Sequence, residues 1–133
     1  MTIAEVGKKN GLSTDTLRYY ERVGLIPPVT RNKSGIRDYN GNDCLWVEFI
    51  KCMRSAGVSV ETLIEYVSLF QQGEATREIR KKILKEQRDI LAERITELQQ
   101  TLEKLDFKIA NYDEIVFEAE QKLWNPNKEK QEI

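Results

Sequence analysis

The sequence of 133 residues contains no histidine and only two cysteines, Cys44 and Cys52. Histidine is the side chain that enzymes use most often for general acid–base chemistry and for metal binding. The sequence also lacks a glycine-rich phosphate loop and a recognisable pair of carboxylates. These absences argue against an enzyme, and we expect neither a cofactor nor a metal.

Long apolar stretches are missing as well. No uncharged apolar run reaches the roughly 18 residues that a membrane helix needs, and the N-terminal segment has no signal-peptide core. Two cysteines are too few for a disulfide scaffold. We therefore expect a cytoplasmic protein without membrane contact, formed by one small domain and an extension.

The net charge of -1 hides an asymmetry between the two parts of the chain. Residues 1–57 hold nine Lys and Arg against six Asp and Glu, and residues 58–133 hold twelve against sixteen. A weakly basic half is common on solvated surfaces, so the placement of the charges has to decide whether nucleic acid is the partner.

Two short capped helices open the sequence. Thr2 and Glu5 have the spacing of a capping box for a helix over residues 3–9. Ser13 caps a second helix, which ends before Gly24 and two prolines. Two short helices joined by a tight turn indicate a helix-turn-helix.

The second of these helices carries a basic face. Arg18 and Arg22 lie one turn apart, on the side away from Leu17 and Tyr20. Arginine can pair with guanine edges in a major groove, and tyrosine can bond phosphates, so this face suits DNA. A solvated face, with Tyr20 in the core, remains the alternative from this helix alone.

A short basic segment follows at residues 28–41. Ser34-Gly35 has turn chemistry, and residues 30–33 and 36–39 flank it as candidate strands. Its cations outnumber a single acid. The segment therefore predicts a β-hairpin wing that grips the DNA backbone beside a helix-turn-helix.

A second helical pair is predicted over residues 43–70, with Asn42 or Asp43 as its first cap. It repeats the first pair, because GLSTDTLRYY at 11–20 and GVSVETLIEY at 57–66 share their caps in register. The second copy lacks the basic face, which indicates a packing role. Arg54 beside the second turn could still hold a phosphate.

A heptad stripe begins after residue 76. Its d and a positions predict a long helix that cannot bury its stripe alone. A homodimer is the simplest partner, and folding back onto the same chain is the alternative. The dimerisation positions are Leu84, Leu91, Ile95, Leu98, Leu102, Leu105, Ile109 and Tyr112.

The segments LRYYERVGLI and GIRDY together resemble the MerR family of bacterial transcription regulators, over residues 1 to about 115. The resemblance implies a mostly helical fold with a small β-hairpin wing, that is, a winged helix-turn-helix joined through an antiparallel coiled coil. It implies a homodimer on double-stranded promoter DNA that distorts the duplex so that RNA polymerase can use it. Its DNA-contacting positions are Arg18, Tyr19, Tyr20, Arg37 and Tyr39, to which we add Thr16, Arg22, Arg31 and Arg54.

The resulting division of the chain has three parts. Residues 1–72 form the winged DNA-binding domain, residues 76–118 form the dimerisation helix, and residues 119–133 form a short polar tail. No Cys or His follows Cys52, which excludes the thiolate metal site of metal-sensing relatives. The tail is too short for the binding domain that drug-sensing relatives add.

The two cysteines lie eight residues apart on one helix, about 12 Å, which is beyond disulfide reach. Lys51 and Arg54 beside Cys52 favour its reactive thiolate form, although a small apolar filler is the alternative. The segment FIKCMRSAGVS resembles the aldehyde- and electrophile-responsive branch of the family, which implies that Cys52 is a sensor. An effector-independent repressor, a regulator that senses a small ligand without cysteine, and a coiled-coil scaffold without DNA remain alternatives.

Overall fold

The computed structural model describes residues 1–124, so residues 125–133 of the expected tail lie outside the described residues. The described part is mostly helical, which confirms the helical fold class. Its helices are α1 (Ile3–Asn10), α2 (Thr14–Arg22), α3 (Gly41–Ser55), α4 (Val60–Gln71), α5 (Arg77–Ala110) and α6 (Phe117–Trp124). The chain divides into two compact units, Met1–Asp89 and Ile90–Ile133.

Local capping explains where the first helices begin. Thr2 and Glu5 form the reciprocal capping box that their spacing predicts, with both hydrogen bonds at 3.2 Å. Ser13 caps α2 by accepting from the amide of Thr16, and Ser59 caps α4 by accepting from the amide of Thr62. The two repeated segments therefore begin their helices in the same way.

Helix α3 begins earlier than its expected cap at Asn42 or Asp43. Asn40 is the cap, and it exchanges hydrogen bonds with Asp43 at the third helical position. The amide of Asp43 donates to Asn40 Oδ1 at 2.8 Å, and Asp43 Oδ2 accepts from the amide of Asn40 at 2.9 Å. Because a cap lies three residues before its partner, the acid belongs inside the helix.

The core of the first unit lies among α1 to α4 and the segment after α2. Leu17 and Tyr20 bring the inner face of α2 into this core, and Tyr39 enters it from the loop before α3. The buried apolar residues are Val6, Leu17, Tyr20, Leu25, Ile26, Val29, Tyr39, Val47, Ile50, Val58, Leu63 and Val67. This burial fixes which face of α2 remains for a partner.

The loop 30–38 is less regular than a two-stranded hairpin. Arg31 and Arg37 form one isolated antiparallel bridge, and no strand occurs within residues 1–124. Asn32 Oδ1 accepts from the amides of Ser34 and Ile36, at 2.9 Å and 3.1 Å. A side chain that takes these amides competes with a strand ladder, which explains the single bridge.

Helix α5 ends at Ala110, although the heptad pattern predicted one helix as far as residue 118. The side chain of Asn111 donates to the carbonyl of Phe107 at 2.9 Å, and a π-helical turn follows at Tyr112–Val116. Lys108 Nζ lies 3.0 Å from Glu120 Oε1. Twelve residues of straight helix would span about 18 Å, so the chain bends between them.

No helix within residues 1–124 is both long enough and apolar enough to span a lipid bilayer.

Candidate nucleic-acid interface

The outer face of α2 presents three predicted DNA-binding side chains to solvent. Arg18, Tyr19 and Arg22 are all exposed. The guanidinium of Arg22 lies over the Tyr19 ring, 5.6 Å from its centroid. A stacked arginine and tyrosine on a short helix form a flat, positively charged surface that suits bases and phosphates.

Arg18 already has protein partners in the free chain. Its Nη1 donates to Asp15 Oδ1 at 3.0 Å, and it lies 3.4 Å from Thr14 Oγ1. Both partners belong to the first turn of α2, and Asp15 is exposed. The pair holds the guanidinium along the helix surface, and an exposed pair of this kind is weak enough to exchange for a stronger partner.

Thr16 is half-buried and belongs to the cap of α2. Its hydroxyl lies 2.8 Å from the hydroxyl of Ser13, and its amide donates to the same Ser13 oxygen at 3.0 Å. The contribution of Thr16 in the free chain is therefore to fix the beginning of the helix.

Arg37 points into the protein, where it pairs with Glu21. Its Nε donates to Glu21 Oε1 at 2.6 Å, and the two side chains are 25% and 13% exposed. The other oxygen of Glu21 accepts from the amide of Val29 at 2.9 Å. Burial alone would raise the pKa of Glu21, but the hydrogen bonds from Arg37 and Val29 lower it below its ordinary value.

Tyr20 and Tyr39, both expected at the DNA surface, belong to the core instead. Tyr20 is 6% exposed and Tyr39 is 1% exposed. The hydroxyl of Tyr39 is buried and has no hydrogen-bond partner within the described residues. Burial raises the pKa of both phenols. The helical period places Tyr20 beside Leu17 on the inner face of α2. Its ring therefore packs in the core, and its hydroxyl is not presented to solvent.

The remaining predicted arginines are exposed but have backbone partners. Arg31 Nη1 donates to the carbonyl of Gly35 at 2.9 Å, which braces the tip of the loop 30–38. Arg54 Nη1 donates to the carbonyl of Val58 at 2.7 Å, across the turn between α3 and α4. A neutral carbonyl partner does not neutralise the charge of either arginine, and Arg31 also interacts electrostatically with Glu21.

Cys52 is exposed on the last part of α3, whereas Cys44 is half-buried near the core. The exposure of Cys52 contradicts the alternative of a small apolar filler. The neighbouring Lys51 donates from Nζ to the carbonyl of Asn10 at the end of α1. No group of three or more potential metal ligands occurs within residues 1–124.

An aromatic groove between α3 and α4 has no counterpart among the sequence predictions. Trp46 stacks edge-on against Phe49 and Phe70, with ring centroids 6.0 Å and 4.8 Å apart. The groove has a volume of about 600 Å³, and Tyr66 and Asp43 are also among its lining residues. The i, i+3 spacing of Trp46 and Phe49 was the available signal for this surface.

The heptad stripe of α5 is open to solvent along its length. Its residues range from 36% exposed at Leu91 to 72% exposed at Ile109. The stripe continues past the end of α5 to Tyr112, which is also exposed. An apolar stripe of this length is unusual for a monomer and is typical of an interface.

Two families match the chain. The family described as MerR HTH family regulatory protein matches residues 1–69, and the family described as MerR, DNA binding matches residues 46–106. The HTH-type transcriptional regulator AdhR of Bacillus subtilis is 61% identical over 93 residues, or 70% of this chain. The matched part spans 66% of that regulator's own length.

Two solved structures are similar to this chain over most of its length. A MerR family transcriptional regulator from Listeria monocytogenes has a TM-score of 0.82 and 48% identity, over 98% of each chain. HiNmlR, a MerR family regulator lacking the sensor domain and bound to promoter DNA, has a TM-score of 0.78 and 30% identity. That match covers 84% of this chain and 89% of HiNmlR.

Proposed function

Because this chain belongs to the MerR family of DNA-binding transcription regulators, we propose that α2 enters the major groove of promoter DNA. The observation that carries the proposal is the exposed set of Arg18, Tyr19 and Arg22 on one capped helix. The loop 30–38 acts as the wing, with Arg31 and Lys33 at the backbone. Residues 1–72 then form the DNA-binding domain.

The regulator acts as a homodimer joined through residues 76–118. The exposed stripe of α5 is the interface, and the two helices run antiparallel. The antiparallel arrangement is the one that membership of the family implies.

The dimer regulates by deforming the duplex. Two α2 helices held at a fixed separation bind two half-sites, and part of the binding free energy is used to twist and bend the DNA between them. RNA polymerase is the second partner, since the distortion sets the spacing of the promoter elements that it reads. An effector changes the degree of distortion that the bound dimer imposes.

Cys52 is the site at which an aldehyde or another electrophile is sensed. Its thiolate sulfur adds to the carbonyl carbon of an aldehyde, and the former carbonyl oxygen takes a proton from water, which gives a hemithioacetal. The thiol is exposed, so this adduct forms without displacing Phe49 or Met53. It lies next to Lys51, whose contact with Asn10 joins α3 to α1 of the helix-turn-helix.

The test uses a reporter under a promoter that the regulator controls, with formaldehyde as the added electrophile. We expect Cys52→Ser to abolish the response while leaving DNA affinity unchanged. Cys44→Ser is the matched control and should respond like the wild type. Full induction of the Cys52→Ser variant would reject the thiol sensor, and an unresponsive wild type would favour an effector-independent repressor.

A second candidate function follows from the aromatic groove, which is regulation by a small apolar ligand without cysteine. The volume of the groove is within the range of ligand pockets, and aromatic side chains line it, as they line many such pockets. Trp46 gives the readout, because a ligand against the indole changes its fluorescence. Saturable quenching by a compound that also induces the Cys52→Ser variant would favour this candidate.

A further inference from the structure

The loop 30–38 is held at its base by carboxylates from two different helices. Glu21 of α2 accepts from the guanidinium of Arg37 at 2.6 Å and from the amide of Val29 at 2.9 Å. One side chain of α2 thus contacts Arg37 within the loop and Val29 directly before it. Half-buried charge-assisted hydrogen bonds of this length are among the stronger polar contacts in proteins.

Asp43 of α3 makes the second attachment. Its Oδ2 accepts from the amide of Thr30 at 3.2 Å and from the amide of Asn40 at 2.9 Å. Asn40 Nδ2 adds a bond of 2.9 Å to the hydroxyl of Thr30. Thr30, the first residue of the loop, is therefore tied to the beginning of α3.

We propose that Glu21 and Asp43 are positioning residues, a carboxylate clamp that sets the loop 30–38 against α2 for DNA binding. The inference rests on the proposed role of this loop as a wing. The loop has hydrogen bonds of its own, such as the one of 2.7 Å from the Asp38 amide to the Thr30 carbonyl, but these bonds join loop residues to one another. The bond between Arg37 and Glu21 joins the loop to α2.

The clamp also gives a reason for the presence of two acids, Glu21 and Asp43, beside the proposed DNA-binding surface. A carboxylate near phosphates weakens binding unless its charge is compensated or its structural effect is larger. Arg37 compensates Glu21 directly. Arg37 is therefore a positioning residue as well, and Arg31 and Lys33 at the tip make the phosphate contacts.

The sign of an effect on affinity separates the clamp from simple electrostatics. Removal of a carboxylate near DNA should strengthen binding if charge alone matters. We expect the opposite for Glu21→Ala and Asp43→Ala, each weakening binding about tenfold because the loop leaves its position. Glu48→Ala, at an exposed acid of α3 that lies near Lys9, is the control, and it should bind as tightly as the wild type or more tightly.

The measurement is fluorescence anisotropy with the full-length chain at one fixed salt concentration. The probe is a duplex selected from random-sequence DNA by the wild-type protein. Ser59→Ala controls for lost helix capping, since it uncaps α4 without touching the loop. Circular dichroism sets a temperature at which every variant is folded, and Glu21→Gln replaces Glu21→Ala if the latter does not fold.

A second background isolates positioning from general destabilisation. In the Arg31→Ala, Lys33→Ala double variant, the clamp has no charged tip to position. Adding Glu21→Ala to this variant should therefore weaken DNA binding by less than about twofold. An equal loss in both backgrounds, or wild-type affinity for Glu21→Ala or Asp43→Ala, would overturn the clamp. Unchanged affinity of the double variant alone would instead reject the loop as a wing.

Hydrogen exchange of the free chain gives a readout that needs no DNA. Glu21→Ala should speed exchange of the Val29 amide, and Asp43→Ala should speed exchange of the Thr30 amide, each by about tenfold or more. Unchanged protection of both amides would overturn the clamp even if the wing hypothesis holds.

Discussion

Arg37 Nε donates to Glu21 Oε1 at 2.6 Å, and this contact turns the arginine of the GIRDY segment toward the protein instead of toward DNA. The two residues are sixteen positions apart, so the pair ties the loop 30–38 to the recognition helix. Arg37 thus differs from Arg18 and Arg22, which are exposed on the outer face of α2.

The Glu21–Arg37 pair should make stability depend on pH in a defined direction. The pKa of Glu21 is lowered from its ordinary value of 4.5, so the unfolded state binds this proton more readily. The pair stabilises the folded state at a pH above the ordinary pKa of Glu21. This stabilisation is lost as the pH falls through the lowered pKa that Glu21 has in the folded state. At pH 7, Glu21→Gln should cost about 1–2 kcal/mol in urea unfolding.

The cost of Glu21→Gln should shrink toward zero in acid, below the lowered pKa. Glu48→Gln is the control, because Glu48 lies on the surface, 3.8 Å from Lys9, and should cost little at either pH. A cost for Glu21→Gln that stayed constant with pH would show that charge pairing is not its origin.

Tyr39→Phe should be neutral for stability or raise it by up to about 1 kcal/mol. The hydroxyl is buried and has no hydrogen-bond partner among residues 1–124, so its removal ends an uncompensated desolvation. Tyr39→Ala should instead cost about 3–5 kcal/mol, because it leaves a large cavity. Thermal unfolding measures both effects. If Tyr39→Phe lost affinity for DNA, the hydroxyl would be a DNA contact, as the sequence predicted.

Leu98 and Phe107 provide a matched test of the dimer interface. Both lie on α5 and both are 62% exposed, but only Leu98 belongs to the heptad stripe. Leu98→Asn should shift the sedimentation equilibrium toward single chains at micromolar concentration, whereas Phe107→Asn should remain a dimer. Equal behaviour of the two variants would mean that the stripe is not the interface.

The two thiols should differ in their reaction with iodoacetamide. Cys52 is exposed on α3 and Cys44 is half-buried, so the Cys52 sulfur should be alkylated at least about tenfold faster in the folded chain. Peptide mass spectrometry after timed quenching separates the two sites, and urea should bring their rates together. Faster labelling of Cys44 would contradict the assignment of Cys52 as the accessible thiol.

Local interactions made the beginnings of α1, α2 and α4 predictable, whereas the predicted cap of α3 was wrong. Ser13 and Ser59 each cap a helix by accepting a hydrogen bond from the amide three residues later. The cap and its partner therefore lie within one short segment of the sequence. The heptad stripe was equally readable, because its period alone places one set of side chains on one face. Exposure of Arg18, Tyr19 and Arg22 followed from the same helical geometry.

The features that the sequence did not reveal depend on distant partners. The loop pattern marks Arg37 as a wing cation, and only the fold brings Glu21 to it. The sequence motif predicts Tyr39 as a DNA contact, but in the fold its ring is buried in the core. Helix α5 ends at Ala110 and a π-helical turn follows at Tyr112–Val116, a change that the apolar period does not record.

Arg18 tests the central claim, that the outer face of α2 reads DNA, most directly. Anisotropy titrations of Arg18→Ala on the selected duplex and on a scrambled one should show a loss of about 1–3 kcal/mol on the first and a smaller loss on the second. Lys104→Ala, at an exposed lysine of α5 outside the heptad stripe, is the control and should bind like the wild type. Full affinity and full discrimination in Arg18→Ala would contradict the account.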